Sequence, residues 1–263
     1  QATLAGLNNA GKAVHDSAYK IYTRCNMTTS FGVNVFPQCE GTTCSPLDVL
    51  ALDGIDIIGD DPYTTNPKAI NSTIKKNAVN GNYPHIAENM GNYSESPSLF
   101  LNAYQAGGSY MFYDLATPRY FIYLNGNGSY QMDQGLFTPE LTYKAHSQNT
   151  VNVIKGINNM GSLLPLVDSK DFAIYNASTM EPDLNYTNTI NTSNISVTYQ
   201  TSNGGIGFAI ENDEYVYLYS TTDSKYTINN ASYIFKADIG HYEKDEYVIE
   251  EHDYMPNEAP HNI

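Results

Sequence analysis

Over its first 165 or so residues the chain alternates short apolar runs with stretches of helical periodicity. Leu4, Leu7, Val14, Ala18 and Ile21 recur at near-helical spacing and predict an amphipathic helix over residues 3–22. Phe31 to Phe36 reads as a short strand, and residues 54–59 as the next. Asn66-Pro67 opens a helix to about Ala78, with proline in the first turn, where its missing N–H leaves no bond unmade. A strand over 83–88 follows, then a helix from Ser96 to about Ala106 with Ser96 as N-cap, then a strand over 109–113. Tyr120–Leu124 and Ser129–Met132, joined by Asn125-Gly126-Asn127-Gly128, predict a hairpin, and Thr138-Pro139-Glu140 begins a helix to about Asn159. Several of these strands end on polar side chains: Asp60, Asp61 and Tyr63, then Glu88 and Asn89, then Tyr113 and Asp114. Strands that alternate with helices and carry polar groups at their C-terminal ends are the pattern of a (β/α) barrel's active face. The expectation for residues 1–166 is the second half of a (β/α)8 barrel, strands 5 to 8 with their helices.

Beyond Leu166 the period changes. Asp171–Asn176, Ile195–Gln200, Ile206–Ile210, Glu214–Ser220, Tyr226–Asn229, Tyr233–Ala237 and Glu246–Glu250 read as short strands separated by Asn, Ser, Gly and Asp. Tyr215, Tyr217 and Tyr219 alternate with Val216 and Leu218, the two-residue period of a strand with unlike faces. Seven such strands predict a β-sandwich over 167–251, followed by an extended polar tail over 252–263.

Charge narrows the class of partner. Asp and Glu number 28 against 13 Lys and Arg, a formal net charge of −15, and the arginines are Arg24 and Arg119. Such a chain does not neutralise phosphates, which argues against nucleic-acid binding. No apolar run approaches 18 residues, so no membrane span is expected. The six histidines are scattered and no Cys/His spacing suggests a metal, and no cofactor is expected. Nine Asn-x-Ser/Thr sequons, at Asn26, Asn71, Asn92, Asn127, Asn176, Asn185, Asn191, Asn194 and Asn230, point to a secreted, extracellular N-glycoprotein. A start at Gln1, without methionine, reads as the end left by processing or cleavage. Of the three cysteines, Cys39 and Cys44 bracket a loop that a disulfide could close, leaving Cys25; Cys25 could equally pair with either.

The run Asp56-Ile57-Ile58-Gly59-Asp60-Asp61-Pro62-Tyr63, followed by Ile86-Ala87-Glu88 and by Gly107-Gly108-Ser109-Tyr110-Met111-Phe112-Tyr113-Asp114, resembles the last three strands of clan A glycoside hydrolases, nearest the β-galactosidase-like families 35 and 42. That resemblance implies a retaining β-glycosidase acting on carbohydrate by double displacement, with Glu88 as nucleophile and Tyr63 contacting it. It places Tyr113 and Asp114 among sugar-contacting groups, and Asp60, Asp61 and, from the loop after its strand, Asn89 are further candidates to bind sugar hydroxyls. It also implies an acid/base glutamate after an asparagine on strand 4, and this sequence has Asn-Glu only at Asn257-Glu258, in the tail. Two carboxyl groups about 5–5.5 Å apart are needed for that chemistry. The expected remedy is an N-terminal partner chain that completes the barrel and supplies the second acid. Two other readings stand beside the enzyme: a non-catalytic carbohydrate-binding or structural glycoprotein derived from the same scaffold, and a self-contained α/β domain carrying an adhesive β-module.

Overall fold

A computed structural model describes residues 2–19, 21–27, 38–39, 42–62, 64–86, 89, 96–111, 121–125, 128–132, 142, 147–177, 186–201, 205–230, 236–244 and 246–253. The chain divides into two compact units, Gln1–Leu141 and Thr142–Ile263.

The first unit opens with α1 (Ala2–His15), which stops at His15 rather than continuing to residue 22. Ser17 donates its hydroxyl to Val14 O at 2.6 Å, occupying the carbonyl that a further helical turn would use. The helix lies directly on the turn at Gly54: a Cβ on Gly11 would sit 1.7 Å from Gly54 O, so glycine is what permits the approach. Strand β1 (Arg24–Asn26) follows, then a minimal antiparallel pair, β2 (Gln38–Cys39) and β3 (Thr42–Thr43). The short helix α2 (Pro46–Leu50) starts with a complete capping box between Ser45 and Asp48. Strand β4 (Ile57–Gly59) leads to α3 (Pro67–Asn77), where Asn66 caps by accepting from Lys68 N. Then come β5 (His85–Ile86), α4 (Ser96–Gln105), β6 (Ser109–Tyr110) and the hairpin of β7 (Phe121–Asn125) and β8 (Gly128–Met132). Cys25, Met27, Cys44, Val49 and Ile58 form a buried cluster, with Leu4, Leu7 and Leu50 packed against it from the helices.

In this unit β1 pairs in parallel with β4, Cys25 opposite Ile58, and β5 pairs in parallel with β6, Ile86 opposite Tyr110. The two pairs are separate two-stranded sheets. The reason lies in side chains that take the backbone groups a ladder would use. Asn82 accepts from Ile58 N at 3.1 Å and donates to Ile58 O at 3.2 Å, standing in for a strand beside β4. Arg24 bridges the gap by donating to His85 O from Nε at 3.2 Å and Nη2 at 2.9 Å.

These sheets correct the expectation of a half (β/α)8 barrel. Among the described residues there is no closed or continuous barrel sheet, only short unconnected pairs in a small α/β unit. The resemblance to galactosidase-like hydrolases falls with it. So does the partner chain, because that chain was inferred from a barrel in need of completion. The expected strand Phe31–Phe36 lies outside the described residues, and β1 instead occupies Arg24–Asn26.

In the second unit α5 (Gln148–Met160) and a 3-10 turn over Gly161–Leu166 precede eight antiparallel strands. These are β9 (Phe172–Asn176), β10 (Tyr186–Asn191), β11 (Ser196–Thr201), β12 (Ile206–Glu211), β13 (Val216–Ser220), β14 (Ser224–Ile228), β15 (Ala237–Glu243) and β16 (Glu246–Asp253). They form sheets of order β10-β11-β14 and β13-β12-β9 and a separate β15-β16 hairpin. Tyr175 and Ala209 from one three-stranded sheet meet Val197, Tyr199 and Tyr226 from the other in one apolar core, where the Tyr175 and Tyr199 rings stack at 3.5 Å. The outer face of β12 and β13 receives α5. Tyr219 donates its hydroxyl to Asn152 O, and a Cβ on Gly156 would lie 2.5 Å from the Tyr219 ring. Residues 231–235, where a strand was expected to start at Tyr233, and residues 254–263 of the expected tail lie outside the described residues.

Candidate functional site

Strand parity sorts the first unit's parallel strands into two faces. Cys25, Ile58, Ile86 and Tyr110 are buried on one. The alternate positions are Arg24, Asn26, Ile57, Gly59, His85 and Ser109, and apart from Ile57 and Gly59 they carry polar side chains. Asp61, just beyond β4, joins them. Its carboxylate accepts from Asn26 Nδ2 and lies 3.5 Å from Arg24 Nη2. Asp60, beside it, turns its carboxylate back on the Asp61 N–H at 2.9 Å. His85 Nδ1 is 2.7 Å from Ser109 Oγ across β5 and β6.

A second polar knot holds the loops that follow the strands. Asn89 accepts from Thr64 N at 2.7 Å and donates to Thr64 O at 2.9 Å and to the Tyr110 hydroxyl at 3.0 Å. The amide thus fixes the segment after β4 against β6, and Asn89 is 2% exposed as a result.

Burial sets the electrostatics of the face. It pulls the Arg24 pKa down, with Asp61 opposing, but a guanidinium remains a cation. Burial and then Arg24 push His85 below the ordinary imidazole value, so His85 is neutral near pH 7 and can accept a proton or hydrogen bond. Burial pushes the Tyr110 hydroxyl up to about 12, so it stays protonated. Asn26 Oδ1 is buried and accepts no hydrogen bond among the described residues. An orphaned buried acceptor costs about 1–3 kcal/mol, and a donor brought by a ligand or water would remove that cost.

Of the residues singled out from the sequence, Asp60, Asp61 and Asn89 are gathered at the C-terminal ends of these strands, all buried. Glu88, Tyr63, Tyr113 and Asp114 lie outside the described residues. The double-displacement glycosidase reading, and the scaffold-derived carbohydrate-binding alternative, are both withdrawn because each depended on the barrel. Sequence reasoning missed Arg24, Asn26, His85 and Ser109. Arg24 and Asn26 sit in a strand with no apolar run to announce it, while His85 and Ser109 could have been found by parity with Ile86 and Tyr110.

Among the sequons, Asn26 spends its amide nitrogen on Asp61, Asn71 on Gln105 at 3.3 Å, Asn194 on Glu211 at 2.7 Å, and Asn230 on Asn194 O. Asn176 is half-buried at the end of β9, and Asn191 is exposed at the end of β10. Asn92, Asn127 and Asn185 lie outside the described residues. Cys25 is a buried free thiol, its pKa raised by burial, whereas Cys44 is disulfide-bonded and the Cys39 side chain lies outside the described residues. Among those residues no helix is long and apolar enough to cross a membrane, and no group of His, Cys, Asp and Glu could hold a metal ion.

A family model described as a domain of unknown function, DUF4978, covers residues 3–182, which takes in β1, β4, β5 and β6. No curated protein matches the chain.

Proposed function

The chain belongs to the DUF4978 family, and we propose that its polar strand face binds a small organic acid that also carries a hydrogen-bond donor, an amino- or hydroxycarboxylate. The observation that carries this reading is the buried, unpartnered Asn26 Oδ1 held beside the Arg24–Asp61 pair. Ligands of α/β domains bind outside the carboxyl ends of parallel strands, where Asn26 and Asp61 lie and where the Arg24 guanidinium, from the start of β1, reaches Asp61. Arg24 engages the protein through Nε and Nη2, leaving Nη1 to meet a carboxylate. Asn26 Oδ1 would take the ligand's N–H or O–H, and the Ser109 hydroxyl a further polar contact.

The His85–Ser109 contact invites a second reading as a nucleophile and its base. Among the described residues no carboxylate meets His85 Nε2 to orient it as a base, so binding is the better-supported reading. The sequons support a further proposal, that the chain is exported from the cell.

The test is thermal-shift screening and calorimetry of the full chain against amino- and hydroxycarboxylates, each with its methyl ester. At least one acid should bind, its ester at least about tenfold more weakly, and Asn26→Ser should weaken binding roughly tenfold while the circular dichroism spectrum is unchanged. Equal binding of acid and ester, or no shift at millimolar concentrations, would sink the proposal.

A further inference from the structure

Strand β10 is the outermost strand of the β10-β11-β14 sheet, and no strand among the described residues pairs with its far side. The hydrogen bonds of β11 show which groups of β10 are free. Ser196 O accepts from Asn229 N at 2.8 Å and Ser196 N donates to Asn230 Oδ1 at 3.0 Å, so its backbone is turned toward β14. Asn191 stands opposite Ser196 and therefore turns its N–H and C=O away from the sheet. By alternation, so do Thr189 and Thr187. Asn188 Oδ1 covers one of these donors, accepting from Thr189 N at 2.7 Å.

Sheet edges are ordinarily guarded by charge, proline or a bulge. Strand β10, Tyr-Thr-Asn-Thr-Ile-Asn, has no charge and no proline, and its register with β11 is regular throughout. Across β10, β11 and β14 Lys225 alone is charged, in a chain of formal net charge −15. Two copies can therefore bring this edge together without setting acidic side chains of the sheet side by side. The strand is also complementary to itself. Tyr186 and Ile190 pack inward on the core, while Thr187 and Thr189 are exposed on the outer face. A second β10 reversed about Asn188 sets Tyr186 against Ile190, Thr187 against Thr189, and Asn188 against its own copy. Apolar side chains then meet on the inner face and hydroxyls on the outer, and each Thr187–Thr189 pair exchanges both of its backbone hydrogen bonds.

We propose that β10 is a self-association edge. It joins a second copy of this chain antiparallel about Asn188, so that two three-stranded sheets become one continuous sheet. On pairing, the Thr189 N–H passes from Asn188 Oδ1 to a backbone carbonyl of the second copy, and the two Asn188 amides face each other. The exposed Asn191 side chain lies on the outer face by the same parity, so a glycan there leaves the edge open. The edge lies beyond residue 182, the end of the family match, and is independent of the ligand proposed for the first unit.

Sedimentation equilibrium of the full chain reads the association. A reversible monomer–dimer equilibrium with a Kd of roughly 10–500 μM is expected, the weak class of an interface this small. Asn188→Asp keeps an oxygen for Thr189 N but opposes two carboxylates at the two-fold axis, and should weaken dimerisation at least about fivefold. Gln148→Glu adds the same charge at the exposed start of α5 and should change it less than about twofold. Two cysteine variants test the register. Asn188→Cys sets two thiols on a non-hydrogen-bonded pair, with Cα atoms about 4.5 Å apart, where a disulfide closes. Thr187→Cys faces Thr189 of the other copy, which leaves its own counterpart beyond the roughly 7 Å reach of a disulfide. With oxidised glutathione, Asn188→Cys should give a covalent dimer and Thr187→Cys should not, with circular dichroism unchanged in both. A chain that stays monomeric up to about 1 mM, equal effects of the two charge variants, or equal crosslinking of the two cysteine variants would each overturn the proposal.

Discussion

Replacing Gly59 by alanine tests the closest backbone approach in the first unit. A Cβ at this position would stand 1.8 Å from His85 O and 2.7 Å from His85 C, both backbone atoms that cannot rotate aside. Restoring even a 3.0 Å contact moves β5 away from β4 by about 1.2 Å, which is overpacking of the kind that costs about 1–3 kcal/mol. The same movement pulls His85 O off the Arg24 guanidinium, losing charge-assisted hydrogen bonds worth about 1.5–3 kcal/mol. Together the loss is about 2.5–6 kcal/mol, a large share of the roughly 5–15 kcal/mol by which a domain is stable. Cys25 reports it: the thiol is free, 4% exposed and packed beside Ile58, so an aromatic disulfide reagent reaches it only when the unit opens. Labelling of Cys25, quantified by peptide mass spectrometry, should accelerate at least about fiftyfold, since each 1.4 kcal/mol is about a factor of ten. Gly6→Ala is the internal control, because nothing lies within 4 Å of its Cβ and alanine favours α1 by up to about 1 kcal/mol. Acceleration below about threefold, with an unchanged urea midpoint, would refute the adjacency of β4 and β5.

Three further outcomes are expected. Asp56 accepts from Thr23 N at 2.7 Å and also meets the Thr23 hydroxyl and His15, and this holds its carboxyl below the usual range. A depressed carboxyl stabilises fully above its unfolded pKa of about 4 and loses that stabilisation as pH falls through its folded value, so hydrogen-exchange protection of α1 should fall with acidification below about pH 4. In Asp56→Asn that acid dependence should flatten, and an unchanged profile would count against the contact. If the chain is exported, glycopeptide analysis should find Asn191 occupied and Asn26 empty, since the Asn26 amide nitrogen is committed to Asp61; a glycan on Asn26 in folded protein would contradict the geometry. Tyr175→Phe should cost about 1 kcal/mol in urea unfolding, because the Tyr175 hydroxyl bonds Ser220 and Ser224 inside the β-core, and a neutral result would deny those bonds.

Local chemistry was legible wherever a few adjacent residues decide it. Asn66-Pro67 started α3 as expected, and Ser96 opened α4. The short run Ile206–Ile210 and the alternation along Tyr215–Tyr219 marked strands that the structure contains as β12 and β13. Strand β1 was invisible because Arg-Cys-Asn has no apolar period, and its pairing with Ile57–Gly59 across some thirty residues is what makes it a strand. Part of the candidate site was legible too: Asp60, Asp61 and Asn89 were expected at strand ends, although for a chemistry that does not survive. Their partners Arg24, Asn26 and Tyr110 come from other strands, and no sequence spacing announced them.

The deeper difference concerns closure. A succession of β and α elements is the same string whether its strands join a continuous sheet or stop as separate pairs. The outcome turns on which backbone N–H and C=O groups find which partners, and here the side chains of Asn82 and Arg24 claim groups that neighbouring strands would have shared. The sequence by itself determined the acidic charge, the scattered sequons, the helix starts and the two-residue period of the later strands, since these depend on composition and neighbours. Only the tertiary structure decided that the parallel strands form unconnected pairs, that Asn26 faces Asp61, and that the tyrosines of β13 meet those of the last hairpin, because each depends on contacts between residues far apart along the chain.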